Sequence, residues 1–188
     1  MIFLSESITK ISYRQPDKTK LEVISSRKSG GGFGLSFPAF ISFYDNNVSA
    51  VITQIGPRGY ISPIAQNALF YYRYKLEGVF MEDGKTVNKI SVIPKRKQEP
   101  LFSGYIFITD GDWRIHSTDL LLTKEYQLEL MDSLRIRQTH VPVSAEVWRI
   151  KDQVLHMSFN RFGFVMEGNF VNVYSDYNLH PQFPPKFF

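Results

Sequence analysis

Between residues 70 and 80 the chain alternates with a period of two. Phe70, Tyr72, Tyr74, Leu76 and Phe80 are interleaved with Tyr71, Arg73, Lys75 and Glu77. Successive side chains of a strand point to opposite faces, so this spacing puts an aromatic stripe on one side and charge on the other. The wider composition supports strands: there are 16 Phe and 10 Tyr but only five Ala, and aromatic side chains suit a pleated surface whereas Ala favours helix. With 188 residues, 43% of them hydrophobic and 21% charged, the chain is long enough to bury a core and is not of disordered composition.

Further strands follow the same logic. Residues 2–14 and 21–26 flank the turn signal Pro16-Asp17-Lys18 and predict a hairpin. Ser29-Gly30-Gly31-Gly32-Phe33-Gly34 reads as a loop. Ser62-Pro63 predicts the start of a short helix reaching about Leu69, since Ser caps well and Pro suits the first helical position. Asp83-Gly84 predicts a tight turn between the 70–80 strand and one over 86–93 that stops at Pro94. Strands are expected over 102–109 and 113–122 across Asp110-Gly111-Asp112, then over 134–141, 147–149, 154–161 and 164–174. Residues 124–131 are ambiguous between a helical turn and a strand. Strands joined by short turns imply an antiparallel sheet.

Several chemistries are excluded or unsupported. With no cysteine, a disulfide scaffold, a thiolate metal site and a Cys nucleophile are ruled out. The glycine-rich loop lacks the Gly-Lys-Ser/Thr ending of a phosphate-binding loop, and Ser36 in Gly34-Leu35-Ser36-Phe37-Pro38 lacks the final glycine of a nucleophile elbow. His116, His140, His156 and His180 stand at no metal-ligand spacing, and each is expected on a polar or edge face. Asp110 and Asp112 fit a turn better than a calcium loop. Glu125, Glu129 and Asp132 fit a solvated face better than an acid–base pair. No motif calls for a cofactor or a metal. The net charge of +4 is mild and spread out, so no nucleic-acid partner is expected. The dense cluster Lys95-Arg96-Lys97 is expected on an exposed loop, as a solvated turn or as a contact with a membrane or another anion. No stretch of 18 apolar residues marks a transmembrane helix.

The aromatic excess leaves two alternatives. Phe70, Tyr72, Tyr74, Leu76, Tyr105, Phe107 and Phe164 either fill a closed core or line one concave face as an apolar, ligand-binding cleft, apolar at depth and wet at its rim.

Specific segments resemble a family of Gram-negative cell-envelope proteins of unknown function: residues 69–78 (Leu-Phe-Tyr-Tyr-Arg-Tyr-Lys-Leu-Glu-Gly), Ile93-Pro94-Lys95-Arg96-Lys97, residues 100–108, residues 112–120, Phe162-Gly163-Phe164 and residues 173–177. Such a resemblance implies an order of domains: a carboxypeptidase-regulatory-like β-sandwich, a segment like this one, then an outer-membrane β-barrel. It brings no catalytic residues. In pattern alone, the hairpin followed by a long meander is similar to the periplasmic lipoprotein carriers LolA and LolB.

The expected fold is therefore mainly β: an open, strongly curved antiparallel sheet, an incomplete barrel, with one or two short helices. Residues 1–188 are expected to form a single periplasmic β domain excised from a longer envelope protein and associated with the outer membrane. The leading expectation for function is non-enzymatic binding of an apolar ligand, a lipid or a lipidated partner, on the concave face. The alternative is a structural or interaction module with a filled core that docks a β-barrel or another envelope protein. A small transmembrane barrel formed by this segment fits less well, because Pro94, Pro142 and the polar loops suit soluble strands.

Overall fold

The structure is a computed structural model that describes residues 4–14, 18–29, 40–48, 59–128, 131–161 and 164–188, without the side chains of Arg161 and Phe164. The chain is mainly β and divides into two compact units, residues 1–38 with 178–188, and residues 39–177.

In the first unit, β1 (Leu4–Arg14) and β2 (Lys18–Ser29) pair antiparallel as their own two-stranded sheet. The register shifts once, between Ile8 and Thr9. The hairpin expected from the sequence is present; Pro16 and Asp17 of its turn lie outside the described residues. A bare two-stranded ribbon is marginal in water. Here the C-terminal segment supports it. The rings of Phe183, Phe187 and Phe188 lie within 5.0 Å of one another. Arg14 sits over Phe183 and Phe188, and Lys20 over Phe187.

The second unit is built on a seven-stranded antiparallel sheet in plain sequence order: β5 (Tyr72–Glu82), β6 (Lys85–Pro94), β7 (Ser103–Thr109), β8 (Ile115–Thr123), β9 (Ser133–Pro142), β10 (Trp148–Arg161) and β11 (Phe164–Val173). Among the described residues the sheet is open, with β5 and β11 as its ends. Short β3 (Asn47–Val48) and β4 (Tyr60–Ile61) pair with each other. The expected strands are all found, with 147–149 and 154–161 merged into β10. The Asp83-Gly84 turn joins β5 to β6 with both residues at positive φ, 48° and 74°. Part of the ambiguous stretch forms one 3₁₀ turn, Lys124–Tyr126.

The expected helix is shorter and later. Of residues 63–71 only α1 (Ala68–Tyr71) is helical. Ser62 does not serve as its cap. Its hydroxyl is fully buried, donates to the Phe43 carbonyl and accepts from Ile64 N–H. Asn46 Oδ1 accepts from Gln66 N–H. Bonds to the 43–46 segment thus replace the i→i+4 bonds that a longer helix would use.

One sheet face is buried. It carries Tyr72, Val92, Ile106, Leu120, Leu122, Leu134, Ile136, Leu155 and Met157, all at most 5% exposed. Ile41, Phe43, Tyr60, Leu101 and Phe102 are buried with them, and Phe102 meets Phe43 edge-on and Tyr60 at a tilt. The core is therefore a sheet face and the irregular segments 40–48 and 60–65 of the same chain. Gly104 shows how tightly the strands are set. Its φ is +127°, and a Cβ there would sit against the Asp119 carbonyl oxygen on β8. Gly104→Ala is expected to lower unfolding free energy by about 2–3 kcal/mol, read as a lower denaturation midpoint. An unchanged midpoint would contradict that close approach.

Candidate functional site

Register decides which aromatic residues share a face. Tyr72, Tyr74 and Leu76 stand opposite Pro94, Val92 and Ile90. Ile90 and Val92 stand opposite Ile106 and Gly104. The face of Tyr74 therefore continues through Ile106. Tyr105 and Phe107 pair with Ser91 and Lys89 and lie on the other face. The expectation that they join Tyr72 and Tyr74 is corrected: a strand offset by one residue presents its opposite set.

Phe70 is corrected as well. It belongs to α1, not to the strand, and is 76% exposed. The alternation across 70–80 is broken a second time at Glu77, where β5 bulges between Leu76 and Gly78. Phe80 is thereby turned to the other face, where its ring meets Phe107 at 6.1 Å. Phe164 opens β11 opposite Arg161, and its side chain lies outside the described residues. Only Tyr72, Tyr74 and Leu76 of the expected set are thus brought together. Arg73 and Lys75 are exposed, as expected. Beside Tyr105 and Phe107 the outer face is polar: Lys89 Nζ lies 4.3 Å from the Tyr105 ring centroid, and Arg135 holds Asp119 by two 2.6 Å bonds.

On the inner face the tyrosines do not present free hydroxyls. Tyr72 Oη donates to the Ile61 carbonyl (2.6 Å) and accepts from Phe102 N–H (3.0 Å). Burial pushes its pKa up, against the opposing effect of the Phe102 bond. Tyr74 Oη donates to the Pro63 carbonyl (2.6 Å), and burial pushes its pKa up to about 12. The same use recurs elsewhere. Tyr44 Oη accepts from Ile115 N–H (3.0 Å), beside the β7–β8 bulge. Tyr60 Oη donates to the Gln127 carbonyl (3.1 Å). Tyr177 Oη donates to the Ile150 carbonyl, beside the β9–β10 bulge. These hydroxyls satisfy backbone groups that regular ladders leave open.

A polar row crosses the same face. Thr118, Gln138, Gln153 and Asn172 stand side by side in register on β8 to β11. Gln138 Nε2 donates to the Ile41 carbonyl (2.7 Å) and to Gln153 Oε1 (2.8 Å), and that same oxygen accepts from Ile41 N–H (3.2 Å). Two glutamine amides therefore hold both backbone groups of one covering residue. Sequence reasoning missed them, although Gln138 shares parity with the apolar Leu134 and Ile136. That parity was the available signal, and it extends to His140.

His116 and His140 are buried, at 7% and 6% exposure, which corrects the expectation of polar or edge faces. His140 meets Tyr44 edge-on. Desolvation, then the neighbouring His116, pushes its pKa down to about 4. His156 bonds Asn169 (2.8 Å). Among the described residues no group of three or more His, Asp and Glu is placed to hold a metal. Asp112 is held below the usual carboxylate range by the Thr109 hydroxyl and then by Lys85, within the turn after β7. Glu125 pairs with Lys97 and Asp132 with Lys124. Glu129, Ser36 and the glycines of 30–34 lie outside the described residues.

Lys95, Arg96 and Lys97 follow β6 and are exposed. Arg96 pairs with Glu99 (3.2 Å) and Lys97 with Glu125 (2.8 Å). Among the described residues no helix is long and apolar enough to cross a membrane, which says nothing of a β-barrel.

Residues 1–177 match a family model described as "Family of unknown function (DUF5686)". The chain belongs to this family. No curated protein and no solved structure matches it. Membership brings no residue roles, so the site rests on the geometry above.

Two consequences are measurable. Gln138→Ala strands the Ile41 carbonyl in a buried place and is expected to cost about 2–3 kcal/mol of stability, seen in chemical denaturation; a loss within experimental error would contradict the clamp. The depressed pKa of His140 means that the unfolded chain binds the extra proton first. Stability from this group is complete above about pH 6.5 and is lost as pH falls toward 4. Relative to His140→Gln, which has no charge to gain, the native chain is expected to lose about 2–3 kcal/mol more between neutral pH and pH 4. Parallel pH profiles of the two proteins would contradict a buried neutral imidazole.

Proposed function

We propose that this chain is a non-enzymatic domain of a cell-envelope protein, working on the periplasmic side of an outer membrane as an interaction module with a filled interior. The single observation that carries the filled-interior reading is the occupation of the inner face by the chain itself: Tyr72 and Tyr74 bond the backbone of residues 61–63, and Gln138 with Gln153 holds Ile41. A ligand would have to displace those bonds. The partner is a β-barrel or another envelope protein. The envelope location and the absence of catalysis rest on the resemblance of segments such as 69–78 and 100–108 and on the lack of a nucleophile motif.

A second reading keeps an apolar ligand but moves it. On the inner-face side of β5, Leu76, Val79 and Met81 are 59%, 55% and 66% exposed. They form an apolar shelf beside the half-buried Ile90.

Two variants and a fluorescent fatty-acid probe separate the readings. With a filled interior, the wild-type chain shows no saturable probe binding. Tyr74→Glu then sets a carboxylate in a half-buried place, breaks the bond to the Pro63 carbonyl and lowers stability by about 1–3 kcal/mol. Saturable binding that Leu76→Glu abolishes at an unchanged melting temperature would replace this conclusion with the ligand reading.

A further inference from the structure

Leu69 and Phe70 are consecutive and are 72% and 76% exposed. Their neighbours in α1 explain why they are spared from the core: Ala68 is buried before them, and buried Tyr72 opens β5 after them. The packing of this end is complete without them. The helix is also tied to the basic loop. Lys95 N–H donates to the Tyr71 carbonyl (2.8 Å), and Lys95 Nζ donates to the Leu69 carbonyl (2.6 Å). Two large exposed apolar side chains are thus fastened beside three consecutive cations. Arg96 and Lys97 have side chains 71% and 77% exposed; Arg96 pairs with the half-buried Glu99 and Lys97 with the exposed Glu125. An exposed pair such as that of Lys97 exchanges readily for another anion.

We propose that the Leu69–Phe70 tip and the Lys95–Lys97 loop together dock the domain on an anionic phospholipid surface. Apolar side chains enter the acyl boundary, while Lys and Arg lay their stems along it and keep their charge among headgroup phosphates. Charge complementarity selects this occupant: an apolar protein groove would have no use for the cations, and a purely acidic protein would have none for Leu69 and Phe70. The site goes beyond the interaction-module reading and uses none of the residues that fill the interior.

The test is co-sedimentation of the whole chain with phosphatidylcholine vesicles, with and without a quarter of phosphatidylglycerol. The wild type is expected to bind the anionic vesicles at low salt. Leu69→Ser with Phe70→Ser is expected to weaken binding by about tenfold or more. Arg96→Gln with Lys97→Gln is expected to weaken it about fivefold per charge at low salt and little at high salt. Lys95 is left in place because it holds the helix. Should the double serine variant fold poorly, Phe70→Trp supplies an independent reading: its emission moves to the blue on anionic vesicles. Absence of binding by the folded wild type, equal binding to neutral vesicles, or equal sedimentation of the folded serine variant would each overturn the proposal. An emission change in the Phe70→Trp variant that fails to appear on anionic vesicles would do so too.

Discussion

The bond set between Gln138, Gln153 and the backbone of Ile41 is the constraint on which the larger unit depends. A seven-stranded sheet has a wide apolar face and must cover it. Here the cover is irregular chain, whose N–H and C=O groups have no ladder to join. Burying such groups without partners costs more than the apolar contact returns at that point. The sheet answers with side chains placed in register: two glutamine amides for residue 41, and Tyr72 and Tyr74 for residues 61, 63 and 102; within the cover, Ser62 bonds residue 43. Each bond is worth about 1 kcal/mol net. Their larger effect is to define where the cover sits.

This arrangement gives a use to five of the ten tyrosines. A Phe could fill the same volume as Tyr44, Tyr60, Tyr72, Tyr74 or Tyr177. The hydroxyl of each is bonded to a main-chain group at a bulge, a turn or a covering segment. These five tyrosines are thus a means by which the sheet closes over irregular backbone.

The strands and turns were legible in the amino-acid sequence because alternation and Asp-Gly turns act locally. The Asp83-Gly84 turn and the limits set by Pro94 and Pro142 needed no knowledge of neighbours. Facing was not legible. Tyr105 falls on the outer face because of how β7 is offset against β6, and Phe80 because one extra residue enters β5 at Glu77. Neither event leaves a mark in a pattern of period two. His140 is buried for another reason: its polarity suggests an edge, but like Gln138, for which the sequence raised no expectation, it continues the set begun by Leu134 and Ile136 on β9. Phe70 failed at an element boundary, where a four-residue helix replaces the first residues of the expected strand. The basic loop was legible in exposure; its tie to α1 through Lys95 was not, since the two lie 26 residues apart.

The central claim is that the inner face is closed by the chain itself, and the amide of Ile41 reports on it most directly. Among the described residues this amide belongs to no helix or strand, yet it donates to Gln153 Oε1 in a buried place. Amide hydrogen exchange followed residue by residue by NMR is expected to show Ile41 protected to the level of the central amides of β9 and β10, opening only with the sheet. Exchange of Ile41 at the rate of a solvated loop, beside a protected β9 and β10, would contradict the account and leave the inner face open.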